Sequence, residues 1–160
     1  MANTAPNAPL IRQLKDLLLG DNAHVSLNDA LKGIPSDKRG IVPPGLPYSL
    51  WQLAEHVRIA QWDILEFSRN PDHRSPKWPE GYWPKEAAPK DDAAWNHCLS
   101  QINDDREAFV ALLTDDADLY TPFPHGDGQN LLREALLIAD HNSYHAGEVI
   151  ALRRLFGIWK

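Results

Sequence analysis

The sequence predicts an all-α protein, a four-helix bundle with long crossover loops. Three observations carry this. Four stretches place apolar residues at helical spacing, the segments between them are rich in Pro, Gly and Asp, and no strand-like alternation of useful length appears. Long amphipathic helices without strands must bury their apolar stripes against one another, and a bundle is the simplest way to do so.

The first helix starts near Pro9, a residue that suits a first helical turn, and sets Leu10, Leu14, Leu17 and Leu18 on one stripe before Gly20-Asp21-Asn22 breaks it. A short helical piece follows from a Ser26 cap, with Asp29 in the capping-box position, to Gly33. Between Pro35 and Pro47 lie four prolines and two glycines, which predict an extended connection.

Ser49 opens the next long helix with a Ser-x-x-Gln capping box closed by Gln52. Its inward positions are Leu50, Leu53, Val57, Ala60 and Ile64, Asn70-Pro71 ends it, and it carries His56. The Pro-rich stretch from Pro71 to Pro89 contains Trp78, Tyr82 and Trp83. Loops this long are uncommon in compact domains unless they do something, so it is either a lid or a crossover pinned by its rings. A third long helix spans about 91–113, with Trp95, Leu99, Ile102, Phe109 and Leu113 inward and Asp91-Asp92 at its positive end. The last helix runs from about Gln129 to Phe156, with Leu137, Ile138, His141, His145, Val149 and Leu152 on its inward face.

At 160 residues the chain reads as one domain, residues 1–160, large enough to bury a core without disulfide staples. Cys98 is the only cysteine, which suits a reducing compartment. The opening residues show neither a basic segment nor a long apolar run, so a cytoplasmic protein with no membrane partner is expected. A formal net charge of −6 with dispersed Lys and Arg argues against nucleic acid, whose binding is driven by clustered cations and counterion release.

The chemistry centres on His141 and His145. Four residues apart on a helix, both imidazoles can reach one cation. With seven histidines in the chain, about 0.3 such pairs are expected by chance, so placement decides: both fall on the apolar stripe, where bundles build metal sites. Two histidines make half a site. His56, on the flank of its helix's apolar stripe, is the natural third ligand; the alternative is a histidine hydrogen-bonded at a helix boundary. Three imidazoles on a divalent ion leave coordination positions open, the mark of a catalytic site. His-Glu-x-x-His is absent because Asn142 follows His141, and no Glu-x-x-His of the carboxylate di-iron type occurs, so a mononuclear site is favoured.

Glu148, three residues after His145, can orient a ligand imidazole or act as a general base; the alternative is an ion pair with Arg153 or Arg58. Tyr144, at the edge of that face, can offer its hydroxyl to a bound anion or serve in packing. Arg106 falls inside the apolar stripe of the third long helix, which predicts pairing with a carboxylate or with a substrate anion. Cys98 reads as a buried small hydrophobe rather than a nucleophile. His24, His73, His97 and His125 are read as loop or surface residues, and Asp63 as too far along its helix to ligate with His56.

The runs Leu-Ala-Glu-His56-Val-Arg-Ile-Ala-Gln and Asp-His141-Asn-Ser-Tyr-His145-Ala-Gly-Glu-Val-Ile-Ala-Leu-Arg-Arg, with Pro-Tyr-Ser-Leu-Trp-Gln at the helix entry, resemble the DinB/YfiT-like superfamily of metalloenzymes over nearly the whole chain. The resemblance implies an up-down-down-up four-helix bundle, often a homodimer, with a divalent metal on His56, His141 and His145. It implies zinc or nickel first, iron or manganese next, and a small-molecule reaction such as thiol-dependent transfer with a low-molecular-weight thiol cosubstrate, or hydrolysis. Glu148 stands where relatives often carry Gln, which changes the charge near the metal. The competing function is a non-catalytic bundle, with a structural ion or none, that binds a partner.

Overall fold

A computed structural model describes residues 7–20 and 23–159 of the chain. It is all-helical, with no strand among the described residues. Five α-helices follow in order: α1 (Ala8–Leu19), α2 (Leu27–Leu31), α3 (Leu50–Arg69), α4 (Asp92–Leu112) and α5 (Leu131–Leu155). Two 3-10 turns, Ser36–Lys38 and Glu80–Tyr82, interrupt the long connections. Among the described residues no helix is long and apolar enough to cross a membrane.

The helices begin where the sequence supplies an oxygen for their orphan N–H groups. Ser26, Ser49, Asp91 and Asn130 each accept a backbone hydrogen bond at the N-cap of α2, α3, α4 and α5, and Ser49 with Gln52 closes a full capping box. Each cap contributes about 1 kcal/mol, less than a single buried Leu at about 1.5–3 kcal/mol, so caps set the boundaries while burial holds the bundle. α5 stops at Gly157, whose φ of 68° only glycine adopts without cost, and whose N–H returns to Arg154. Gly20 ends α1 with φ 95°; Asp21 and Asn22 of the expected break lie outside the described residues.

α3 packs on both α4 and α5, while α1 lies against α4 and α5. The core has two halves. One gathers Leu50, Leu53, Val57, Trp95, Cys98, Ile102, Val149 and Leu152; the other gathers Leu14, Leu65, Phe109, Leu113, Ala135 and Ile138. Between them Gln61, 1% exposed, donates to the Ile102 carbonyl at 2.6 Å and accepts from Asn142 at 2.9 Å, tying α3, α4 and α5 together one residue from His141. Arg153 holds α2 to α5 by donating to the carbonyls of Ala30 and Lys32 at the end of α2, with its guanidinium 4.6 Å from the Trp159 ring.

Leu17 of the α1 stripe and the partner of Arg106 in α4 differ from the sequence reading. Ile11 joins Leu14 and Leu18 in the core, Leu10 packs against it only partly buried, and Leu17 is exposed. Among the described residues Arg106 forms no ion pair with a carboxylate. Its guanidinium donates to the amide oxygens of Asn28 at 3.1 Å and Asn103 at 2.9 Å, and Asn28 also donates to Asn103 at 2.7 Å. Two side-chain amides take both terminal nitrogens of this buried cation without burying a second charge, and its Nε stays without a hydrogen-bond partner.

Candidate metal centre

Ring nitrogens of His56, from α3, and His141 and His145, from α5, all lie within 4.8 Å of one another, a grouping that could hold a metal ion. His56 and His145 are buried and His141 is half-buried. The Nε2 atoms of His56 and His141 are 3.1 Å apart, close to the roughly 3 Å between two nitrogens that each sit about 2.0–2.1 Å from one ion.

The second nitrogens show how the cluster is oriented. Nδ1 of His56 donates to the Tyr82 carbonyl at 3.0 Å, and Nδ1 of His145 to Oε2 of Glu148 at 2.7 Å. With its proton on Nδ1, each imidazole keeps the lone pair of Nε2 free, and this kind of outer hydrogen bond is what fixes the tautomer of metal-ligating histidines. Burial lowers the pKa of all three rings: His56 and His145 shift down, and His141, also facing the other two histidines, falls to about 3. All three are therefore neutral near pH 7, the form that binds metal. The donor set, its tautomers and its spacing fit a divalent ion.

Among the described residues Glu148 pairs with no arginine. It accepts from His145, and its Oε1 accepts the hydroxyl of Tyr48 at 2.5 Å. Arg58 pairs with Glu55, and Arg153 is spent on α2. Burial and the bond to Glu148 push the Tyr48 hydroxyl up to about 12, so Tyr48 stays a donor. Tyr144 packs its ring edge on His145, with centroids 5.0 Å apart, yet is 65% exposed.

The loop between α3 and α4 is fastened along one face of α3. Ser49 donates to the Ala87 carbonyl, Gln52 to Pro84 and His56 to Tyr82, while the Tyr82 hydroxyl donates to Asp63 at 2.5 Å. Positions 49, 52, 56 and 63 share a helix face, so the loop runs back beside α3 as a fixed wall. Its Trp83 stacks on His56 with centroids 4.0 Å apart and planes within 4°, and also stacks with Tyr48 at 5.7 Å. The pinned-crossover reading of this loop fits these contacts.

Sequence reasoning gave no role to Tyr48 or His73 and named Tyr82 and Trp83 only as rings of the loop, without their contacts to His56. His73 lies in the loop as expected, but its side chain is tucked in: its Nε2 lies 2.7 Å from Asp63 and its side chain is 7% exposed. Asp63, set aside as a ligand, instead anchors both His73 and Tyr82. Tyr48 had one available signal, its place directly before the Ser49 cap. Cys98 is fully buried, and desolvation with Glu55 nearby raises its thiol pKa well above the usual range.

Beside the histidines lies a cavity of about 420 Å³, lined by Tyr48, Trp78, Trp83, Tyr144 and Glu148 among others. A second cavity of similar size, between α2 and α4, is lined by Arg39, Trp95 and Asn103 and lacks any such histidine cluster among the described residues.

The family model of the DinB superfamily matches residues 21–149, a span that holds all three histidines and Glu148. No curated protein and no solved structure matches the chain.

Proposed function

We infer that this chain, which belongs to the DinB superfamily, is a mononuclear divalent-metal enzyme acting on a small molecule, with His56, His141 and His145 as the protein ligands. One observation carries the reading. Nδ1 of His56 and of His145 is committed to a fixed acceptor, which leaves two Nε2 lone pairs converging with His141 at the edge of a 420 Å³ cavity. Three protein donors and an adjacent cavity suit a catalytic centre, since a structural ion would be closed off by a fourth protein ligand.

An ion held there supplies Lewis acidity that lowers the pKa of a thiol or water reaching it. Imidazole donors suit zinc or nickel first, with iron or manganese next. Transfer of a low-molecular-weight thiol to an electrophile is the favoured reaction, and hydrolysis the second.

The chain's own residues then have separable tasks. Glu148 holds His145 in its Nδ1–H tautomer and, lining the cavity, is the carboxylate placed to take a proton from the incoming nucleophile. Trp83 covers one face of His56 and keeps water from it. Tyr144, 65% exposed at the cavity edge, presents its ring and hydroxyl to the substrate. The single buried thiol suits a reducing compartment, and we place the protein in the cytoplasm as a homodimer without nucleic-acid partners.

Elemental analysis of protein purified without an affinity tag tests the reading. About one divalent ion per chain is expected, lost in His145→Ala with helical content retained by circular dichroism. Thiol and electrophile panels run with and without chelator then identify the reaction, and light scattering gives the mass. Metal-free wild-type protein that takes up no zinc, nickel, iron or manganese on addition overturns the assignment.

A further inference from the structure

The cavity beside the histidines has a distinctive wall. Four aromatic rings, Tyr48, Trp78, Trp83 and Tyr144, share it with two carboxylates, Asp140 and Glu148, and no lysine or arginine is among its lining residues. Trp83 and Tyr48 stack on one another, and Trp83 also on His56, so their faces are largely used. Trp78 and Tyr144 are different. They are 68% and 65% exposed, and large rings left open around a cavity mark a surface made to meet something.

The electrostatics select what that is. Aromatic faces carry the negative end of the ring quadrupole, and a cation over Trp or Tyr gains from it, more so in a partly desolvated cleft. Asp140 is exposed at the start of the turn that bears His141, and Glu148 sits one turn beyond His145. Among the described residues neither carboxylate has an arginine or lysine partner, and Glu148 is held by the neutral donors His145 and Tyr48 at its two oxygens. An anionic head group finds no positive side chain in this wall, whereas an ammonium finds rings and a carboxylate together.

We propose that the cavity takes a small molecule bearing an ammonium group, held against Trp78, Tyr144 and Asp140, with the other end of the ligand toward the three histidines. This names the substrate class of the site and rests on reading the cavity as the substrate site. A volume of about 420 Å³ is within the usual range for small-molecule sites.

The test is a titration of the full-length, isotope-labelled protein followed by NMR, with choline and its uncharged isostere 3,3-dimethylbutan-1-ol as probes at constant ionic strength. The indole N–H signals of Trp78 and Trp83, assigned by single substitutions, report the site. Choline is expected to shift the Trp78 signal and to bind about tenfold more tightly than the alcohol. Trp78→Ala and Asp140→Asn, both at exposed positions, should each reduce that preference to less than about threefold and leave the rest of the spectrum unchanged. Equal binding of the two probes, or choline shifts confined to other tryptophans, overturns the proposal. Zinc uptake is measured on the same samples: its failure counts against the metalloenzyme reading alone, while loss of the choline preference counts against the ammonium site alone.

Discussion

Nδ1 of His145 stands 2.7 Å from Oε2 of Glu148, one turn later on the same helix, and the other carboxylate oxygen of Glu148 is held by the hydroxyl of Tyr48. The carboxylate thus links α5 to Tyr48, the residue before the N-cap of α3, and fixes the ring that offers its Nε2 to the cavity. Removing such an outer partner commonly costs 10–100-fold in metal affinity. Glu148→Ala is therefore expected to weaken zinc binding by about 10–100-fold, and Glu148→Gln by much less, because an amide oxygen still accepts from Nδ1. Competition against a chromophoric chelator measures both, and equal losses in the two variants would show that charge, not orientation, is what Glu148 contributes.

Asp63 acts on the site from a distance. It is 8% exposed and accepts from Tyr82 and His73, and the Tyr82 carbonyl in turn holds Nδ1 of His56. Asp63→Ala leaves two half-buried donors without an acceptor, a loss of about 1–2 kcal/mol. Urea unfolding should show that drop, and the metal content of the folded variant should fall as well. Asp63→Asn, which still accepts, should recover most of the stability.

The helices and the convergence of three histidines could be read from the chain because both rest on periodic information. Apolar spacing marked which faces of α3 and α5 turn inward, and His56, His141 and His145 lie on or beside those faces. The wall of the site could not be read this way. Tyr82 ends a single 3-10 turn and Trp83 follows it, too short a stretch for a period to tie a residue to a face, and Tyr82 acts on His56 through a main-chain carbonyl that any residue type would supply. Arg106 shows a second limit: a charge in an apolar stripe announces a buried partner, but not that two asparagines 3 and 78 positions away would serve.

Cys98 sits at 0% exposure among Trp95, Ile102 and Leu53, and burial raises its thiol pKa. Thiolate is the reactive form, so the folded chain should resist alkylation. Iodoacetamide at pH 8 is expected to label Cys98 at least about a hundredfold more slowly in the native protein than in denaturant, because labelling must wait for an opening event. Mass spectrometry after timed quenching gives the ratio. Rapid native labelling would place the thiol at an accessible position and reopen its role as a nucleophile.

The metal-free protein should lose stability as pH falls. His56, His141 and His145 have folded pKa values below the ordinary 6.5, His141 at about 3. Below 6.5 the unfolded chain binds protons that the folded chain refuses, so the unfolded state gains and stability declines as pH drops through the window from about 6.5 toward 3. Well above 6.5 both states hold neutral imidazoles and this contribution is flat. Thermal unfolding of chelator-treated protein at pH 8, 6.5 and 5 should give a slightly lower midpoint at pH 6.5 than at pH 8, because the unfolded imidazoles are half protonated there, and a much lower one at pH 5. Replacing His141 by Asn removes the most depressed of the three groups, so the fall between pH 6.5 and 5 should shrink. A midpoint in the variant that falls as steeply as in the wild type would assign the acid sensitivity to carboxylates elsewhere in the bundle.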